Sequence, residues 1–212
     1  MHDVSDMFAF MKRSFVDYEL SARAANRTLP ISTRITIWLS HTALFEQAWT
    51  AVCRTPANWW WSEQLCLFTV GAWTVMLYTY GRSHRIKYVW AYMLLGQVVA
   101  ISVASNLFYL ALLLHPPPRP TKAQPLPWTV HLPVFLSLWT VSRVPASLAH
   151  APPYFLENLL TMHALLLLPF LPNRTLHRLL PPSSFLSLPP RTVYILIHLT
   201  SLVLRARTVF VF

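Results

Sequence analysis

Charged residues are scarce in this sequence, and acidic residues are the scarcest of all. Only 11% of the 212 residues are charged, whereas 55% are hydrophobic and the mean hydropathy is +0.43. An ordinary soluble domain has roughly 25% charged residues. The apolar residues come in blocks about as long as a membrane is thick. The sequence therefore predicts an all-α, multi-spanning helical membrane protein with about five to six transmembrane helices.

Glycine and cysteine are also rare, with three and two residues. The sequence contains no glycine-rich phosphate-binding loop, no HExxH zinc motif and no GxSxG nucleophile motif. Cys53 and Cys66 have no CxxC or Cys/His spacing, which supports neither a disulfide scaffold nor a zinc site. We therefore expect no metal and no other cofactor.

The net charge of +10 raises the question of a nucleic-acid partner. The arginines and lysines, however, lie between the apolar blocks, as they do in membrane loops. We therefore expect membrane lipid as a partner and no nucleic acid. The first 30 residues are polar and mixed in charge, without the apolar stretch of a signal peptide.

The apolar blocks divide the chain into four parts. These are a polar N-terminal tail (1–34) with a short amphipathic helix over 7–20, a three-helix membrane half (35–114), a Pro-rich linker (115–127) and a Leu/Pro-rich membrane half (128–212). The last part is either an irregular membrane half or a truncated or divergent one. The candidate spans are 35–53, 59–80, 88–114, 128–141, 154–171 and 192–204.

Six spans would place 11 basic residues on the N-terminal side of the membrane and 6 on the other side. The positive-inside rule then predicts a cytoplasmic N-terminus. The Asn-x-Thr sequon at Asn173 would be lumenal and glycosylated, in the endoplasmic reticulum or another endomembrane, and the one at Asn26 would stay unmodified.

Three glutamates, Glu46, Glu63 and Glu157, lie inside or at the edge of apolar segments. A carboxylate at membrane depth costs at least ~2.5 kcal/mol, so it usually faces a protein interior and often serves a function. Glu46 is either a proton donor or acceptor in the first span, or a solvated residue of a helix that lies on the membrane. The favourable interaction of an acid with a helix N-terminus explains Glu157.

Glu63 follows three consecutive tryptophans and has two interpretations. In the first it is an acid in the first turn of a helix capped by Asn58 or Ser62. In the second, an acid among aromatic rings donates a proton, and the ring faces stabilise the resulting carbocation. The second interpretation makes Glu63 a candidate catalytic residue and Trp60 and Trp61 candidate substrate-binding residues. Glu46 is also a candidate catalytic residue, as the proton donor or acceptor of the first span.

The third span contains two amides, Gln97 and Asn106. Hydrogen bonding between helices is their ordinary explanation, and substrate positioning is the alternative. In the same span Gly96, Ala100 and Ala104 recur every four residues, which predicts one smooth face on a continuous helix.

The stretch Asn58–Leu114, with its segments WWWSEQ and WAYMLLGQ, resembles small fungal integral-membrane proteins of secondary metabolism. Among these it looks most like the membrane-bound terpene cyclases of the ascofuranone and macrophorin kind. The resemblance covers about a quarter of the chain, and the second half departs from that family. It implies an enzyme that protonates and cyclises a prenylated, isoprenoid-type substrate, with Glu63 as the acid and Gln97 and Asn106 in the pocket.

The alternative is a non-catalytic multi-spanning membrane protein, such as an assembly factor or a transporter fragment. In that case the polar residues serve helix packing. The first half shows none of the internal repeats or Gly/Pro-broken helix pairs that are typical of transporters. The two hypotheses differ in one respect: the enzyme needs Glu46 and Glu63 for its reaction, and the non-catalytic protein does not.

Overall fold

The structure is a computed structural model, and it describes residues 3–21, 29–116, 124–149, 154–171 and 187–211. Across these ranges the elements are helices, turns and one isolated β-bridge between Leu126 and Leu188. The all-α prediction is therefore confirmed. The chain divides into two compact units, residues 1–53 and residues 54–212.

The helices follow one another with short connections. They are α1 (Asp3–Leu20), α2 (Ile31–His41), α3 (Leu44–Cys53), α4 (Pro56–Leu67), α5 (Thr74–Ser83), α6 (Val89–Val98), α7 (Ile101–Leu114), α8 (Trp128–Ala149), α9 (Phe155–Leu167) and α10 (Pro190–Val211). A π-helical segment, Phe68–Trp73, joins α4 to α5, and a 3-10 turn, Leu168–Phe170, extends α9.

In the first unit, α1 packs against α2 around one tryptophan. Trp38 is buried, its ring meets Phe15 edge-on at 5.4 Å, and its Nε1 donates a hydrogen bond to Ser14 Oγ at 3.4 Å. An ion pair between Arg34 and Glu19 links the same two helices. Residues 3–41 therefore contain a packed helix pair.

The first predicted span, 35–53, is not one helix. The α2 helix ends at His41, Thr42 has an extended backbone (φ −114°, ψ 138°), and α3 has 10 residues. Ten residues of α-helix rise about 15 Å, which is half the thickness of a hydrocarbon core of about 30 Å. Neither short helix is long enough to cross a membrane by itself.

The second unit begins with a helical rod that runs from Pro56 to Ser83 without a break. Thr55 caps it by accepting a hydrogen bond from the Asn58 N–H at 3.2 Å, and Pro56 occupies the first turn, where its missing N–H costs nothing. At 1.5 Å per residue the rod is about 42 Å long. It contains the second predicted span, 59–80.

The third predicted span, 88–114, is the largest departure from the sequence prediction. Its helix breaks at Ala100, whose backbone is extended (φ −169°, ψ 143°), and α6 and α7 are separate helices of 10 and 14 residues. The prediction of one continuous helix over this range was wrong. The chain instead forms a helical hairpin.

Paired contacts show that the two arms of this hairpin are antiparallel. The rings of Tyr92 and Phe108 meet at 5.3 Å, and a Cβ atom at Gly96 would lie 3.4 Å from Ala104 Cβ. Gly96 and Ala104 therefore do not share a face of one helix. They face each other across the hairpin, where small residues allow the two backbones to approach.

The α8 helix is longer than the sequence predicted. It continues from Trp128 to Ala149 with Pro133 and Pro145 inside it, so Pro133 does not interrupt the predicted span 128–141. Each proline removes one backbone hydrogen bond, a cost that tertiary packing around a buried helix can offset. The last helix, α10, likewise extends beyond the predicted 192–204.

Side-chain contacts define one end of the second unit, which we call the Glu63 end. Here Glu63 of α4 contacts Arg205 of α10. Ser142 of α8 and Glu63 line one small cavity at this end. Arg54 directly precedes α4, so it belongs to this end as well. The six-span prediction had placed Arg54 and Arg205 on opposite sides of the membrane.

The opposite end we call the His84 end. His84 Nδ1 lies 2.7 Å from the His115 carbonyl oxygen, and Leu126 pairs with Leu188 in the β-bridge. The rod, α8, α9 and α10 run between the two ends, whereas the α6–α7 hairpin starts and finishes at the His84 end. Each end carries four described basic residues, namely Arg54, Arg143, Arg205 and Arg207 at one and Arg82, Arg85, Lys87 and Arg191 at the other. The count of 11 against 6 also includes basic residues of the first unit and residues outside the described ranges.

Within the described ranges, two helices, α8 and α10, are long and apolar enough to cross a membrane. Nearly half of the apolar window of α8 is buried inside the protein, but only 17% of that of α10 is buried. The α10 helix thus directs most of its apolar surface outward. Its exposed side chains include Ile195, Leu199, Leu202 and Val203.

Candidate functional site

Glu63 is the most deeply buried acid among the described residues, at 2% exposure. It lies two turns into α4, because the helix begins at Pro56 and is capped by Thr55. Neither Asn58 nor Ser62 is the cap, so the interpretation of Glu63 as a first-turn acid was wrong. A carboxylate at this depth requires partners from other helices.

Those partners come from α10. Arg205 Nη1 lies 3.0 Å from Glu63 Oε2, and Thr208 Oγ1 donates a hydrogen bond of 2.7 Å to Glu63 Oε1. Arg205 and Thr208 are three residues apart, so they lie on the same face of the helix. Both carboxylate oxygens of Glu63 are therefore bound to one face of α10.

Trp60 completes the arrangement one turn before Glu63. Its carbonyl oxygen accepts a second hydrogen bond from Arg205 Nη1 at 2.6 Å, and the guanidinium carbon lies 4.4 Å from the centre of its ring. A cation over an indole face is attracted by the ring quadrupole. Trp60 thus binds the arginine of the site, whereas the sequence had assigned it to a substrate.

A cavity of about 40 Å³ adjoins this cluster. Its lining residues are Trp59, Glu63, Ser142, Pro145, Leu204, Arg207 and Thr208. This volume is enough for about three water molecules. Pockets for drug-sized ligands have volumes of about 300–1,000 Å³, so in this conformation the cavity is too small for a prenylated substrate.

The second candidate acid belongs to the other unit. Glu46 lies in the first turn of α3 and is half-buried, so the helix dipole stabilises its negative charge. Thr42, four residues before Glu46, lies outside the helix. Glu46 and Glu63 are in different compact units.

The remaining predicted residues do not join the Glu63 cluster. Trp61 is 66% exposed, and Gln97 Nε2 donates a hydrogen bond of 3.3 Å to the His163 carbonyl oxygen of α9. Asn106 is exposed on α7. Glu157 is exposed in the first turn of α9, where the sequence had expected it. The Asn173 sequon lies outside the described residues.

The sequence did not identify Arg205 and Thr208 as site residues. Arg205 had been counted as a loop residue because the last predicted span ended at 204. One signal was available: Arg205 and Arg207 stand alone at the end of an apolar block, close to Thr208. A basic side chain at the end of an apolar helix indicates that another helix supplies an acidic partner.

No family model, no curated protein and no solved structure matches this chain. The resemblance to terpene cyclases over Asn58–Leu114 therefore stays a prediction from the sequence.

Proposed function

We propose that this chain is an α-helical integral membrane protein of the endoplasmic reticulum or another endomembrane, with a cytoplasmic N-terminus. The outward apolar surface of α10 supports membrane insertion, because the core helix of a soluble protein would be mostly buried. The distance between the two ends of the second unit also fits. Glu63 and His84 are separated by about 31 Å of helix, close to the thickness of a hydrocarbon core.

We propose further that the buried polar groups act in assembly and not in catalysis. The observation that carries this is the double attachment of Glu63 to Arg205 and Thr208. A general acid must direct its proton at a substrate atom. Both oxygens of Glu63 instead accept hydrogen bonds from α10, and the adjoining cavity has room for only a few water molecules.

Terpene cyclisation is the second candidate function, and one observation favours it. Trp59 and Glu63 line the same cavity, so an acid and an aromatic side chain do adjoin one space. In this alternative, movement of α10 would enlarge the cavity and free Glu63 to protonate a prenylated substrate. The product would be a cyclic isomer, because the proton gained by the substrate is lost again after ring closure.

One set of variants tests both candidates in membranes that contain the protein. The assembly proposal expects Glu63→Leu and Arg205→Met each to lower the amount of accumulated protein, and the Glu63→Leu/Arg205→Met double variant to restore it. Failure of the double variant to recover would contradict a purely structural pair.

The cyclase is tested on the same membranes with a prenylated phenol that carries a terminal epoxide. Formation of a cyclic isomer of unchanged mass by the wild type, and its loss in a Glu63→Gln variant that accumulates normally, would establish catalysis and overturn the assembly proposal. Equal amounts of product with and without the protein would remove the support for the cyclase.

A further inference from the structure

The outward face of α7 combines apolar residues with one unsatisfied amide. Val103, Asn106, Leu110 and Leu113 are spaced by three, four and three residues, and all four are exposed. We call these four residues the α7 seam. The opposite face of α7 is buried within the second unit, through Ala104, Phe108 and Ala111. Seam positions at this spacing are those that meet a partner helix in a coiled coil.

Asn106 is the residue that makes this seam unusual. Its side chain forms no hydrogen bond within the part of the chain that the structure describes. Two other polar side chains of the hairpin do have partners: Ser105 Oγ donates to the Ser102 carbonyl oxygen at 3.1 Å, and Gln97 donates to the His163 carbonyl oxygen. The Asn106 amide is left with both N–H donors and its carbonyl oxygen free among the described residues.

The depth of Asn106 follows from the hairpin, and this step rests on the proposed membrane function. The α7 helix ends beside His115 at the His84 end. Asn106 lies about 14 Å from His115 along the helix axis. Half of a hydrocarbon core is about 15 Å. The free amide would therefore face lipid near the middle of the bilayer, where an unsatisfied polar group is costly.

We propose that the α7 seam binds a second copy of this chain. Two copies inserted the same way round have parallel α7 helices, so a two-fold axis along the membrane normal brings Asn106 opposite Asn106. An amide both donates and accepts, and hence each Asn106 satisfies the other. Any other register would place each amide against an apolar side chain, so the Asn106 pair also favours one alignment of the two helices.

The α10 helix is the natural comparison, because it also has an outward apolar face. Its exposed His198 already uses Nδ1 in a contact of 2.6 Å with the Tyr194 carbonyl oxygen of its own helix. Leu202, one turn further on, is 66% exposed and apolar. It therefore serves as a matched control position that faces lipid without a free amide nearby.

The test uses disulfide trapping in native membranes, with Cys53 and Cys66 replaced by alanine. Leu110→Cys keeps Asn106 intact and should give a covalent dimer on mild oxidation, whereas Leu202→Cys should not. Adding Asn106→Leu to the Leu110→Cys chain should weaken dimerisation about 5- to 30-fold, measured as the protein-to-lipid ratio at half-dimer. Asn106→Gln, which keeps the amide, should weaken it less.

Alkaline carbonate extraction is carried out on the same membranes. A chain that resists extraction but is trapped equally at both cysteines, or at neither, overturns the seam and leaves the membrane proposal intact. Unchanged dimerisation in Asn106→Leu overturns the role of the amide. A chain released by carbonate overturns the membrane proposal and, with it, this inference.

Discussion

Arg205 and Glu63 are 142 positions apart in the sequence, and their Nη1 and Oε2 atoms lie 3.0 Å apart. The glutamate side chain is 3% exposed and the arginine side chain is 20% exposed, so water reaches the pair mainly from the arginine side. The contact joins the first and last helices of the second unit. Because each charge depends on the other for compensation, the two residues should behave energetically as one unit.

Removing one partner of this pair should cost more than removing both. We expect Arg205→Met to lower the free energy of unfolding by about 3 kcal/mol, because it leaves a buried carboxylate without a cation. The Glu63→Leu/Arg205→Met double variant should lie within about 1 kcal/mol of the wild type. Unfolding in mixed micelles with increasing SDS measures all the variants, and strictly additive single effects would contradict the coupling.

The sequence predicted the parts of the fold that depend on local apolar pattern. The rod from Pro56 to Ser83 contains the apolar block 59–80, which the sequence predicted to be a helix. The Glu63–Arg205 contact could not be predicted from the local apolar pattern. Its partners lie on helices far apart in sequence, and their pairing depends on tertiary packing.

The hairpin break at Ala100 shows a second limit. Neither proline nor glycine stands at the break, and alanine is the best helix former. The reversal is stabilised by contacts between the arms, such as that of Tyr92 with Phe108, and an apolar run does not reveal them. Pro133 shows the opposite case, because proline usually breaks a helix and α8 continues through it.

Gly71 should be intolerant of even a methyl group. A Cβ atom at this position of the π-helical segment would lie 2.5 Å from Ile197 Cγ2 on α10, an atom close to the backbone that cannot swing away. We expect Gly71→Ala to destabilise the protein by about 1–3 kcal/mol, although alanine has the higher helix propensity.

The same clash gives a rescue experiment. Ile197→Leu moves the side-chain branch away from Cβ, so the Gly71→Ala/Ile197→Leu double variant should recover part of the loss in SDS unfolding. If Gly71→Ala were as stable as the wild type, α10 would not pack against this segment as closely as described.

Cys53 should be a poorly reactive thiol. It is 5% exposed, and burial raises its pKa to about 12 because the charged thiolate is disfavoured. In a Cys66→Ala chain at pH 9, alkylation by iodoacetamide should be on the order of several hundredfold slower when the protein is folded than when it is unfolded.

The same pKa shift determines how stability depends on pH. Above the ordinary thiol pKa of about 9 the unfolded chain releases a proton that the folded chain retains. Stability should therefore fall as the pH rises from about 9 to about 12. Cys53→Ala should remove this part of the pH dependence, and an unchanged pH profile in that variant would contradict the burial of the thiol.

The α6–α7 hairpin should enter and leave the membrane on one side. Single cysteines replacing Arg85 and His115, in a chain with Cys53 and Cys66 changed to alanine, should react with a membrane-impermeant maleimide from the same side. Both positions lie at the His84 end, whereas Arg207→Cys at the Glu63 end should react from the other side. A continuous span over 88–114 would instead expose positions 85 and 115 on opposite sides. Because the arms of 10 and 14 residues rise only about 15 and 21 Å, neither arm is long enough to cross the bilayer by itself.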